Sequence, residues 1–168
     1  GIRGFDAFKV KDLNFLAEFN TARPYTYSSR SSLLNYGHYN QPLAHPFGAN
    51  FREFLSIWSY NYKRWSLHLQ GNFAKYGLDP EGVTSYGKDI FKSYNQRPDT
   101  YGHNIAQGIT TDFAYLDGKL SFLLNSKNNL RVELGGVYRN EKNALANDKT
   151  TWVTFGLRSS FRNIYQDF

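Results

Sequence analysis

From Trp65 to Tyr76 the large apolar side chains fall on alternate residues, with Trp65, Leu67, Leu69 and Phe73 at odd positions and Ser66, His68, Gln70 and Asn72 between them. A period of two sends successive side chains to opposite faces of an extended backbone. The segment therefore reads as a strand with one apolar and one polar face. The same alternation recurs at Leu13/Phe15/Ala17/Phe19, at Ile105/Ile109/Phe113/Tyr115 and at Val153/Phe155/Leu157/Phe161. Breaks at Gly, Pro, Asn and Asp clusters divide the chain into six predicted strands, over residues 7–21, 49–62, 65–76, 103–116, 130–140 and 151–165.

The predicted connections alternate in length. Lys63-Arg64 is a bare hairpin turn and residues 126–129 form a short Asn-rich one, whereas 22–48, 77–102 and 141–150 are long and polar. Asp117-Gly118 is itself a hairpin signal. Counting residues 117–129 as a seventh crossing would put one long loop at the wrong end, so they are assigned to an enlarged turn or to a continuation of the fourth strand beyond a bulge. Tight turns at one rim and long loops at the other form the pattern of an outer-membrane barrel, with the tight turns in the periplasm.

Composition narrows the class. Aromatic residues make up 18% of the 168 residues although the hydrophobic share is only 40% and the mean hydropathy is −0.59. No stretch approaches the ~18 apolar residues of a spanning helix, so a membrane crossing would have to use strands. The predicted fold is all-β, an antiparallel transmembrane barrel. Six strands are too few to close one, since smaller rings leave no room for their own interior side chains. Residues 1–168 are accordingly expected to be the C-terminal portion of one larger barrel domain in a bacterial outer membrane, in contact with its lipid, with the upstream strands lying outside the sequence in hand.

Side-chain parity assigns the faces. Leu13, Phe15, Ala17 and Phe19 of the first strand, and Leu130, Val132, Leu134 and Tyr138 of the fifth, join the lipid-facing set. Asn14, Glu18 and Asn20, and Arg131, Glu133 and Arg139, point to a wet interior. The second strand is irregular, because Phe54, Trp58, Tyr60 and Tyr62 share one parity while Leu55 and Ile57 take the other. Either both faces are covered or a bulge shifts the register. Phe168 falls out of step with Phe161, which predicts a further bulge near Arg162-Asn163 or a loose end.

Three blocks carry a likeness to a known family. The run from Tyr39 through Gln41-Pro42-Leu43-Ala44-His45-Pro46-Phe47-Gly48 to Glu53, the run Leu123 to Glu133, and the ending Gly156-Leu157-Arg158 through Asn163 to Phe168 resemble outer-membrane barrels of the Wzi-like capsule-assembly family. Gln166 departs from the apolar residue usual near the C-terminal Phe of such barrels. The resemblance implies a large barrel with a role at the cell surface in polysaccharide attachment or gliding, alone or as a subunit of a larger envelope complex with other envelope proteins, and no enzymatic chemistry.

The chain shows little chemistry of its own. It has no cysteine, which removes thiolate nucleophiles, thiolate metal sites and disulfides. Its net charge is +6, but Lys and Arg are scattered singly, so nucleic acid is not an expected partner. His38, His45, His68 and His103 lack metal-ligand spacing, and no metal or cofactor is expected. Pro42 and Pro46 followed by Gly48 predict a stiff loop packed into the barrel mouth. In the second long loop Tyr86, Tyr94 and Tyr101 stand among Asp89 and Asp99, the pairing of ring faces and carboxylates that grips sugars, and these five are the candidate ligand-binding residues. Two other readings are a transport channel or porin, which needs an open lumen, and a soluble β-sandwich lectin, for which the inward charges are awkward.

Overall fold

The computed structural model describes residues 1–39, 41–82 and 84–160. The chain is all-β. Seven antiparallel strands lie in one sheet in chain order: β1 (Ile2–Gly4), β2 (Leu13–Ala22), β5 (Phe51–Tyr62), β6 (Trp65–Leu78), β7 (Ile109–Asn125), β8 (Leu130–Lys142) and β9 (Asn147–Arg158). A two-stranded ribbon, β3 (Gly37–His38) and β4 (Gln41–Pro42), lies in the first long loop. Among the described residues the sheet is not closed, and β1 and β9 are its edges.

Register is continuous over most of the sheet, so residues sharing a row share a face. One row runs Leu13, Tyr60, Leu67, Leu120, Leu134, Phe155, and the next runs Phe15, Trp58, Leu69, Gly118, Gly136, Val153. Two aromatic rows bound this apolar face: Tyr62, Trp65 and Phe122 at the short-turn end, and Phe19, Phe54 and Phe73 toward the long loops. Leu67, Leu69, Leu120 and Leu134 of these rows are exposed, as is Phe155 at 78% on the outermost strand, while Leu13, Phe15, Trp58, Tyr60 and Phe122 are half-buried. The opposite face carries the polar partners of the same alternation, among them Asp117, only 8% exposed.

Several sequence expectations are corrected. Residues 7–12 are not strand: Asp6, Phe8, Lys9 and Asp12 take left-handed backbone angles, and Asp6 Oδ1 accepts from the Asp12 amide at 2.7 Å. The segment turns back and lets the short β1 pair with β2, which the six-strand count missed. The fourth predicted strand, 103–116, is shifted to Ile109–Asn125 and runs straight through Asp117-Gly118. Gly118 pairs with Leu69 on one side and Gly136 on the other, and these ladders on both flanks override the local turn signal. The continuation of that strand is therefore right, but its register shift lies between Leu123 and Asn125.

Parity on β7 is also reversed. Ala114, Leu116, Leu120 and Phe122 lie on the apolar face, while Ile109, Phe113 and Tyr115 point to the polar face, and Ile105 precedes the strand. The predicted long loop at 141–150 is a tight turn at residues 143–146, where Asn143 Oδ1 accepts from the amides of Leu145 and Ala146, both at 2.8 Å. β5 needs no bulge, since it pairs without interruption from Phe51↔Tyr76 to Tyr62↔Trp65. Phe161, Phe168, Gln166 and the bulge expected near Arg162-Asn163 lie outside the described residues.

The long connections, 23–50 and 79–108, stand at one end of the sheet; the Lys63-Arg64 and 126–129 turns share the other, where the Leu123 amide donates to Arg64 O at 2.8 Å. At the loop-bearing end the backbones approach closely. A Cβ on Gly77 would stand 1.7 Å from Gln107 O, so this position admits no side chain. Gly77→Ala is expected to cost about 1–3 kcal/mol through forced displacement of that backbone. Gly136→Ala, at a position with open space, is expected to change unfolding by less than about 1 kcal/mol. Urea unfolding of the two variants checks the difference.

Candidate functional site at the loop-bearing end

Asn50 organises this end of the molecule. It is 0% exposed and sits at φ 59, a left-handed conformation that Asn tolerates better than most residues. Its Nδ2 donates to Gly77 O at 3.2 Å and Gln107 O at 2.9 Å, and its Oδ1 accepts from the Gln107 amide at 3.2 Å. One side chain thus ties the end of the first loop, the end of β6 and the end of the second loop. Gln107 extends the network, its Nε2 donating to Tyr86 O at 2.8 Å. Tyr25 OH donates to Ser85 O at 2.7 Å, and its amide donates to Gly87 O at 3.0 Å. Burial, followed by the charge of Asp79, holds the Tyr25 phenol above its usual pKa of 10.0. A Cβ on Gly87, at φ 88, would reach within 2.5 Å of the Tyr25 nitrogen.

A second cluster fastens the Pro-rich loop to the polar face of the sheet. Glu53, 4% exposed, faces His45 Nε2 at 2.7 Å and accepts from Asn72 Nδ2 at 2.6 Å and Asn20 Nδ2 at 3.1 Å. Three partners offset the desolvation of its charge. The His45 ring stacks on Phe51 at 4.4 Å, and Phe47 packs against Phe51, Tyr76 and Phe113. This contact explains the reversed parity of β7: Phe113 is drawn inward by the loop. The loop expected to be stiff and packed does lie against the end of the sheet.

Between the loops is a cavity of about 390 Å³ with Phe47, Asp79, Lys88, Phe91 and Lys92 in its lining. Lys88 Nζ donates to Phe47 O at 2.8 Å and stands 4.4 Å from the centre of the Tyr76 ring. Burial pulls the amine below its usual 10.5, against the raising pull of Glu141, Asp79 and Asp89. Asp79, 7% exposed, uses Oδ1 to accept from the Tyr86 amide at 2.6 Å. Its Oδ2 is buried without a hydrogen bond, the nearest cation being Lys92 Nζ at 3.8 Å. A cavity of mixed apolar and charged lining with one carboxylate oxygen lacking a hydrogen bond suits a ligand that offers a hydroxyl or amine together with a carbon face.

Of the five residues singled out from the sequence, Asp89 alone lines this cavity. It caps the Phe91 amide at 2.9 Å; Tyr86 is half-buried beside Gln107. Tyr94 lies under the Arg97 guanidinium at 5.4 Å, and Tyr101 and Asp99 are exposed. Among the described residues, no ring pair joins Tyr86, Tyr94 and Tyr101. Sequence reading missed Asn50 and Lys88, and it placed Asp79 among the acids of the second long loop without taking it into the candidate set; the flanking Gly48 and Gly77 were the available signal of close backbone approach. Among the described residues no cluster of three or more His, Asp or Glu could hold a metal ion. Comparison with protein-family models, curated proteins and solved structures found no match.

Losing Asn50's side chain is expected to release both loops while leaving the sheet intact. Asn50→Gly keeps the left-handed backbone without strain but removes three hydrogen bonds, at a cost of about 1–3 kcal/mol. Limited proteolysis should then cut within residues 23–50 and 79–108 faster than in the parent, with the strands protected as before.

Proposed function

We propose that the chain forms part of the wall of an outer-membrane β-barrel whose loops bind surface polysaccharide, in capsule attachment or gliding, without catalysing a reaction. The observation that carries this reading is the exposed apolar face bounded by two aromatic rows, backed by a polar face. From Ala114 to Phe122 that face spans nine residues of β7, about 27 Å along the strand and about 20 Å of height at the usual strand tilt, comparable to the ~25 Å apolar band of such barrels. Each of the six long strands, from 10 residues in β2 to 17 in β7, meets or exceeds the ~9–11 needed to cross a bilayer. In lipid the unpaired edges of β1 and β9 would cost several kcal/mol per backbone group, so the reading requires further strands to close the ring.

The sequence blocks around Pro42, around Asn128 and at the C-terminus support the Wzi-like family, with the greatest likeness to the gliding-motility outer-membrane protein RemB. The Asp79 cavity supports sugar as the ligand: a pyranose offers hydroxyls to Asp79 Oδ2 and a carbon face to Phe47 or Phe91. Charges on the polar face, including Asp117, Lys119, Arg139 and Glu141, also suit a water-filled lumen. That favours a channel as the second reading, and conductance in planar bilayers separates the two.

Two measurements test the proposal. Leu69→Arg is expected to cost about 2–4 kcal/mol of folding in bilayers, while Gln70→Arg, on the other face, stays mild; equal damage overturns the membrane assignment. Asp79→Asn combined with Tyr101→Ser is expected to lower polysaccharide retention on cells while leaving heat resistance of the barrel unchanged. Undiminished retention places the functional surface elsewhere.

A further inference from the structure

On the lipid-facing side of the proposed barrel, just beyond the aromatic row Phe19–Phe54–Phe73, the register places Arg52 beside Lys75, Lys75 beside Asp112, and Asp112 beside Lys142. Lys149 stands in the aromatic row itself, opposite Asn140. Four cations thus surround one acid, and the only ion pair recorded there, Lys75 to Asp112 at 3.3 Å, joins two partly exposed side chains. Arg52, Lys142 and Lys149 are exposed. Beneath this cationic row the small side chain of Ala114 leaves a hollow of about 440 Å³ walled by Phe19, Phe54 and Phe73. Asn140 lines the same hollow, and its Oδ1 is buried with no hydrogen-bond partner.

These three features ask for three different chemical groups. Exposed cations at the boundary of an apolar band attract phosphate. The unsatisfied Asn140 carbonyl calls for a hydroxyl donor, and the Phe-walled hollow accepts a hydrocarbon chain. One molecule supplies all of them at that depth. Resting on the barrel reading, we propose that this rim is a binding site for a phosphorylated glycolipid of the outer leaflet, with phosphate on Arg52, Lys75 and Lys142, a sugar hydroxyl on Asn140 Oδ1, and an acyl chain against Phe54 and Phe73. The position agrees with the long loops lying at the same end, which is the outer rim in such barrels. Bound lipid would seat the wall at a fixed height, because its phosphates hold the cationic row at the headgroup level.

The test uses the full chain in nanodiscs of phosphatidylcholine doped with lipid A or with its dephosphorylated form, with bound lipid counted by native mass spectrometry. The parent is expected to retain the phosphorylated form at least about tenfold over the dephosphorylated one, and each of Arg52→Gln, Lys75→Gln and Lys142→Gln to lower retention about fivefold. Asn140→Ala is expected to weaken both forms equally. Insertion with equal retention of the two lipids, or undiminished retention in the triple variant, overturns this inference alone. Failure of the parent chain to insert overturns the barrel reading and this inference with it. Competition by inorganic phosphate without displacement of acyl chains would show a simple anion site and overturn the glycolipid assignment.

Discussion

A slip of one residue in the pairing of β6 would carry Trp65, Leu67, Leu69 and Phe73 to the opposite face, because side chains alternate with a period of two. Everything else depends on that register. It sets Leu67, Leu69, Leu120, Leu134 and Phe155 on one surface with Asp117, Ser121 and Glu133 on the other, and places the two aromatic rows at either end of the apolar face. The turns enforce it from outside. Lys63, at φ 55, and Arg64 leave no slack between β5 and β6, and the one irregularity, at Leu123/Asn125, is confined to the end of β7.

The loop-bearing end is organised on a different principle. There the contacts are polar and long in sequence separation: Asn50 to Gly77 and Gln107, Glu53 to Asn20 and Asn72, Tyr25 to Ser85. Buried hydrogen bonds of this kind contribute little net stabilisation each, but breaking one leaves its partner unsatisfied at greater cost. They therefore select one loop conformation more than they stabilise the sheet. The cavity at Asp79 lies between the two loops that this network ties together, with the Lys88 amine fastened to Phe47 O in its lining.

The strands were legible in the sequence wherever alternation was strict, as in Trp65 to Tyr76 and Val153 to Leu157, since the pattern is local and the sheet obeys it. Three departures from local signals share one cause. Asp117-Gly118 carries a turn signal that two flanking ladders override, as the alternative of a continued fourth strand anticipated; Phe113 turns inward and packs against Phe47, far away in sequence; and residues 141–150 look like loop although pairing continues to Lys142↔Asn147. In each, a tertiary partner outweighs local propensity. The candidate site was legible only as a region. Asn50 and Asp79 give no local sign of their role, because their partners lie 27 and 57 residues away for Asn50 and seven for Asp79.

The tight turn at residues 143–146 has a geometric meaning for the end at which it stands. The connections 23–50 and 79–108 rise there between β2 and β5 and between β6 and β7, while β8 and β9 are joined by almost nothing. The rim is therefore a parapet with a gap. On the proposed reading, a polysaccharide in the Asp79 cavity need not be threaded by its end; it can be laid in from the side and run out over the low β8–β9 wall, as a rope lies in a cleat.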